Sequence, residues 1–411
     1  MSTTARQTPS APSAATLLPL AQAALPRFLS DLADLVAIDS GSHSPAGVNR
    51  VGHFIAARLA PLGFRTDHLP VQGPQGRPVG DVLLARRTGN RPPARGGRRI
   101  LLIAHMDTVF EDGTAAARPF HLNGTRAHGP GVSDDKGGLL AGLTALELLA
   151  ATGFEDYAEL VLLATPDEEI GSPASGAVTR AVAAEMDYAL ALECARENGD
   201  LVLARKGVSD LEITVTGRAA HSGIEPERGA NAALAAAHLL IQLQALNGRW
   251  EGVSVNVGVI RAGTRTNIVC PEAELRAEIR ATTVAGLHQA LGTVRELVAR
   301  TDVRDTRAIL RQGDICPPME DSAAARTLFA QARAAGAGLG LEFGGMATGG
   351  VGDANLTSGA GTPTLDGLGP VGGADHSPQE WLDTTSVPAR VALLAALIAR
   401  LGPGPGAPAL P

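Results

Sequence analysis

From Leu25 the segment LPRFLSDLADLVAI places apolar side chains at steps of three and four, the spacing that lines one face of an amphipathic helix, so a helix is predicted to begin there. A second helix is predicted over residues 48–62, followed by strands around 81–85 and 100–104. The latter, within RILLIAHMD, is a short continuous apolar run of the kind buried on both faces of a sheet. A helix over 135–150, a strand over 159–164 and a helix over 175–184 continue the alternation. Such alternation predicts an α/β domain with a mostly parallel sheet flanked by helices.

After Lys206 the period changes. Leu211, Ile213 and Val215 alternate with Glu212, Thr214 and Thr216; Val253, Val255, Val257 and Val259 alternate again; Leu275, Ala277 and Ile279 alternate with Glu274, Arg276, Glu278 and Arg280. Period two marks strands with one face in water. With helices predicted over 230–246 and 284–299 and a strand near Arg307, the order is β-α-β-β-α-β, a ferredoxin-like α+β unit. From Ser322 the earlier style returns, with a Gly-dense run at 344–373 and a closing helix at 387–401. The expected organisation is one α/β domain built from 25–206 and 316–411, interrupted by an inserted domain at 207–315, with 1–24 as a disordered leader. A chain of 411 residues exceeds the size at which a single core stops growing, which agrees with two domains.

Apolar residues at 45% and charged residues at 19% support a sizeable core. A formal charge of -7 argues against nucleic acid as a partner, because phosphate binding needs a clustered positive face. The one basic stretch, RRTGNRPPARGGRR from Arg86 to Arg99, reads as a solvated hairpin loop, with an anion-binding loop as the alternative. Cys194, Cys270 and Cys316 are too far apart and too few for a disulfide framework, so a reducing, cytoplasmic compartment is expected. No apolar run approaches the roughly 18 residues that cross a bilayer. At the N-terminus AATLLPLAQAAL, residues 14–25, offers an alternative: the short apolar region of an export signal. Arg6 as the only early positive side chain and Pro19 inside the run speak against it.

Chemistry gathers just beyond the apolar strands. His105 and Asp107 stand two apart at a strand end and so point the same way. A metal-binding imidazole commonly donates its other N–H to a carboxylate, a role open to Asp107; strand-end polarity is the plain alternative. The loop GPGVSDDKGG, 129–138, has the glycines of a phosphate cradle but lacks the Gly-Lys-Ser/Thr ending and brings negative charge, which suits a divalent cation better. In LLATPDEEIGS three acids follow a strand, Asp167, Glu168 and Glu169; neighbouring side chains there diverge, so one can ligate a metal while the other stays free as a base. The alternative is an acidic helix start. Glu193 closes the apolar segment DYALALEC, and His376 lies in GGADHSPQEW. Two metals sharing one carboxylate would need two further ligands each: His105 with Glu193, Glu169 with His376, and Asp134 between them. Nitrogen and oxygen ligands suit zinc, with cobalt or manganese as alternatives.

With His105-x-Asp107, GxxDDKGG, DEE, Glu193 and His376 in this order, the chain resembles the family of glutamate carboxypeptidases, acetylornithine deacetylases and succinyl-diaminopimelate desuccinylases. The likeness runs from about Leu25 over nearly the whole chain and is greatest to bacterial folate-hydrolysing glutamate carboxypeptidases. It implies two Zn2+ ions per subunit, with Asp134 as the bridging ligand, often preceding a cis peptide in the family. Glu169 and His376 would hold one ion, His105 and Glu193 the other, with Asp107 orienting His105 and Glu168 as general base. Glu at the position of Glu193 sides with carboxypeptidases and deacylases. The inserted domain corresponds to a lid that mediates dimerisation. In it GRAAHSG resembles the motif whose histidine, here His221, reaches the partner subunit's site to stabilise the oxyanion; by itself it reads as a surface loop residue. Asn267 in TRTNIVCP and Arg280 match substrate-contacting positions, Arg280 facing the substrate carboxylate, and the stretch around Gly349, Gly350 and Asp353 resembles a substrate-side loop. Without the family Arg280 is one charge on an alternating face and the glycines a connector.

The resemblance implies cleavage of an amide or peptide bond beside a free carboxylate in a small peptide or N-acyl amino acid. Deacylase or dipeptidase activity is the alternative within the same chemistry. A scaffold with a dead site would be expected to lack a ligand or base, and none is missing. The other histidines, His43, His53, His68, His121, His128, His238 and His288, have no motif support, and Cys194 is expected to be structural.

Overall fold

A computed structural model describes residues 11–404, which separate into two compact units. The first comprises the chain up to Leu203, Asp321–Ala347 and the chain from Gly352; the second comprises Ala204–Glu320 and Thr348–Val351.

The sheet of the first unit has six strands in the spatial order Arg65–Leu69, Val82–Thr88, Glu159–Thr165, Arg99–His105, Tyr188–Ala191, Thr364–Leu365. The last four run parallel; the first two add an antiparallel edge. Leu101, Leu102, Ile103, Val161, Leu162 and Leu163 are sealed from solvent, as continuous apolar runs in a sheet covered on both faces must be. His105 pairs with Thr165 in register, so the two central strands end together, and the Tyr188–Ala191 strand ends beside them. Open parallel sheets place their sites at this edge.

Helix Lys136–Ala151 is buried on nearly every side and packs with the closing helix Val387–Leu401 and the first helix. That first helix spans Ala14–Val36, so it starts well before Leu25 and residues 14–24 of the expected leader are helical, with Leu17 and Ala21 in the core; residues 1–10 lie outside the described residues. The cause is packing. Leu17, Ala21, Phe28, Leu32 and Leu35 continue one buried face past Pro19 and Pro26, and their burial outweighs the backbone bonds the prolines remove. No helix among the described residues is long and apolar enough to cross a membrane.

A second, antiparallel sheet of short strands went unread in the sequence: Gly372–Gly373, Trp381–Asp383, Arg126–His128, His121–Asn123. It matters because Trp381 pairs with His128, which holds the loop after His128 against the loop before Trp381.

In the second unit four antiparallel strands lie in the order Val253–Ala262, Glu272–Ala281, Gly207–Thr216, Arg307–Cys316. Helices Ala232–Gln244 and Val284–Val298 pack on their apolar face. Both begin at side-chain caps: Asn231 accepts from the Leu234 amide and Thr283 from that of Gly286. This is the ferredoxin-like order expected. Gly349 and Gly350, expected with the first domain, belong to this unit instead.

The tip of the basic stretch, Pro92–Arg95, is exposed as expected, but most of its charge is paired. Arg86 pairs with Glu159 and Glu185, Arg87 with Glu155, Arg91 with Asp156 and Arg98 with Asp187, so four of its six arginines are spent on ion pairs within the unit.

Candidate active site

The ends of three neighbouring strands and two loops bring five of the expected ligands together. Nε2 of His105 lies 2.9 Å from Oδ1 of Asp134 and 3.6 Å from Oε1 of Glu193. Nε2 of His376 lies 3.1 Å from Oδ2 of Asp134 and 3.1 Å from Oε2 of Glu169. In each of the two groups, His105–Asp134–Glu193 and Asp134–Glu169–His376, one atom per residue falls within 4.8 Å of the others. Asp134 is common to both. The peptide between Asp134 and Asp135 is cis. Ala374 and His376 both occupy the left-handed backbone region, at φ 57 and 62, which non-glycine residues rarely adopt.

The electrostatics follow from burial. His105 is 1% exposed; burial disfavours its charge, yet hydrogen bonds to Asp107 and Asp134 override this and hold the imidazole well above its ordinary value. Burial also opposes ionisation of Asp134, but bonds from His105 and His376 keep its carboxyl well below the usual range. The more open His376 is pushed up to about 11 by its bonds to Asp134 and Glu169. Glu168 is held well above the usual carboxylate range by burial and by Glu193 and Asp353, against the attraction of His105. Without a cation, this cluster can stay together only by binding protons. Divalent ions fit the donors better. Imidazole and carboxylate atoms of five residues converge in two sets that share one carboxylate, and Nδ1 of His105 is already engaged by Asp107, leaving Nε2 for a metal.

Asp107 does more than orient His105. Its backbone oxygen lies 3.0 Å from Nδ1 of His105, nearer than its Oδ1 at 3.4 Å. The carboxylate, fully buried, accepts from the amides of Glu168 at 3.1 Å and Glu169 at 3.2 Å and from Oγ of Ser42 at 2.7 Å. It thereby fixes the turn that carries Glu168 and Glu169. The opposite flank of that turn is held by Asp353, expected in a substrate-side loop but found buried, accepting from Thr165 at 2.5 Å and Ser172 at 2.7 Å. Burial pushes its carboxyl up to about 6.

The remaining expected residues lie in the second unit. His221 is exposed, bridges Ile268 and accepts the Gly223 amide at Nδ1; the amide of the next residue, Ser222, donates to the carbonyl of Asn267. Arg280 pairs with both oxygens of Glu278, at 3.0 and 3.2 Å, and donates to the carbonyl of Gly349 at 2.8 Å. Arg205 reaches the carbonyl of Gly350. Cys194 is buried and unbridged. The sequence did not single out Glu380 or Ser42, and it placed Asp353 in a different role.

Fold and donor set together suit a metal-dependent hydrolase, and the family to which the chain belongs is one of hydrolases. The chain belongs to peptidase family M20/M25/M40, whose profile matches residues 101–400. It is 32% identical over 387 residues to carboxypeptidase G2 of a Pseudomonas species, covering 92% of this chain and 90% of the relative. It is 29% identical over 274 residues to the acetylornithine deacetylase of Pectobacterium carotovorum, covering 62% and 68%. Among solved structures the fold matches aminopeptidase PepT from Bacillus cereus with a TM-score of 0.75 at 21% identity, covering 92% and 98%, and an M20 family metallo-carboxypeptidase from Sulfolobus solfataricus with 0.66 at 15%, covering 90% and 98%.

Proposed function

We propose that the protein is a two-zinc carboxypeptidase-like hydrolase that cleaves an amide or peptide bond beside a free carboxylate. The observation that carries this reading is the sharing of Asp134, one oxygen towards His105 and the other towards His376. His105 and Glu193 would hold one ion, Glu169 and His376 the other. Bound there, divalent ions lower the pKa of a captured water and polarise the scissile carbonyl.

The protein's own groups do the rest. Glu168 belongs to neither ligand group and has its amide fixed by Asp107, so its carboxylate is free to take the proton of the attacking water and return it to the departing amine. Asp107 keeps His105 in one tautomer. On the family resemblance, His221 of the partner subunit in a homodimer meets the developing oxyanion, Asn267 and the Gly349–Gly350 turn contact substrate, and Arg280 meets its carboxylate. We place the protein in the cytoplasm: Leu17 and Ala21 sit in the core, and cleavage of a signal after them would uncover it.

A screen of N-acyl and peptidyl amino acids, including folyl-glutamate, with added zinc and with chelator, tests the proposal. Zinc-dependent release of a C-terminal glutamate is expected. Turnover confined to N-acetyl or N-succinyl substrates would move the assignment to the deacylase reading, which the acetylornithine deacetylase relatives favour.

A further inference from the structure

Four residues after His376, the buried side chain of Glu380 points into the loop that carries Asp134. Its Oε2 accepts from the Gly131 amide at 2.9 Å, and its Oε1 accepts from the amides of Ser133 at 2.8 Å and Asp134 at 3.0 Å. Its own carbonyl oxygen lies 2.9 Å from Nδ1 of His128, at the start of the same loop. Neither of the two candidate metal groups among the described residues includes it. From this geometry, and resting on the two-ion reading above, we propose that Glu380 is a positioning residue that sets the orientation of the Asp134 carboxylate and so couples the two metal sites.

The argument is one of geometry and acceptor count. A carboxylate offers two acceptor oxygens and no donor, so it can satisfy three converging amides; a neutral amide offers one oxygen and turns an NH2 towards donors. One segment therefore does two things. It supplies His376 to one ion and grips, through Glu380, the backbone of the ligand that both ions share. Trp381, directly after Glu380, is paired with His128, which fixes the segment and the loop in register. A change at Glu380 must then be felt at both sites together, whereas loss of His376 touches only one.

The test uses the full-length protein, stripped by chelator and titrated calorimetrically with Zn2+, and with Co2+ followed by its visible spectrum. In Glu380→Gln both equivalents are expected to bind about 10- to 100-fold more weakly, as loss of a group supporting metal ligands typically does. The Co2+ spectrum is expected to change, and kcat to fall with little change in KM. Glu380→Asp, which keeps the carboxylate, is expected to recover part of the affinity. Unaltered affinity and spectrum in Glu380→Gln, or weakening of one equivalent alone, would overturn the proposal. If Glu380→Gln does not melt cooperatively, Glu380→Asp decides on the same readouts, its binding lying between wild type and Asp134→Ala or not. A wild-type protein that takes up fewer than two equivalents defeats the two-ion reading instead; Glu380 is then judged on the ion that Asp134 holds.

Discussion

His105 and His376 reach opposite oxygens of one carboxylate, 2.9 and 3.1 Å away, although one ends a central strand and the other lies in a loop near the end of the chain. On the two-ion proposal, Asp134 is the shared ligand and each histidine has a separable effect. His105→Ala and His376→Ala should each lower bound zinc from two equivalents to one, and Asp134→Ala should abolish tight binding of both. Metal analysis after gel filtration reads this directly; retention of two equivalents in His376→Ala would remove it from the ligand set.

Glu168 is assigned the proton and no metal. Glu168→Gln should therefore keep its zinc and its melting temperature while kcat falls by about 10²- to 10⁴-fold, the usual contribution of a general base. Steady-state kinetics and metal analysis on the same preparation check both halves.

Asp107 has three acceptor duties that a single amide oxygen cannot meet. Asp107→Asn should weaken zinc binding by about 10- to 100-fold and depress kcat, because the Glu168–Glu169 turn loses its anchor and the His105 ring keeps only the backbone oxygen of residue 107. Competition with a chelator of known affinity measures the first effect.

If His221 acts across a dimer, His221→Ala should lose about 10²- to 10³-fold in kcat. Mixing and refolding it with Glu168→Gln should restore activity, since each mixed dimer then holds one intact site. Random pairing would give about a quarter of the wild-type rate for two equivalent sites. No recovery on mixing would place His221 in its own subunit's site or outside catalysis.

Asp353 should leave a signature in stability. Its folded pKa is raised to about 6 from 3.8, so the native protein holds this proton more tightly than the unfolded chain. The stabilisation is present below about pH 4 and is lost as pH rises through 6. The melting temperature of chelated wild type relative to Asp353→Asn should accordingly fall between pH 4 and 7 and level off above. A difference that stays constant over this range would show that the carboxyl titrates alike in both states.

What the sequence revealed, and what it hid, divides on a physical line. Of the side chains gathered at the site, His105, Asp107, Glu168, Glu169 and Glu193 follow apolar strands, and period plus strand ends pointed to them, while the helix Val387–Leu401 and the β-α-β-β-α-β order were legible from periodicity alone. The start of the first helix was hidden because Pro19 and Pro26 are local breakers that tertiary packing overrules. Glu380 and Asp353 were hidden for a different reason: each acts on backbone amides or hydroxyls supplied by a distant segment, and nothing in HSPQEW or VGDAN marks a carboxylate as inward-facing. The small sheet that joins His128 to Trp381 has strands of two and three residues, too short for any period to show.

The central claim is tested most directly by anomalous diffraction at the zinc edge from crystals of the zinc-loaded protein. Two peaks are expected on either side of the Asp134 carboxylate, one ligated by His105 and Glu193 and the other by Glu169 and His376. A single peak that leaves either histidine unligated, or none at all, would contradict the account.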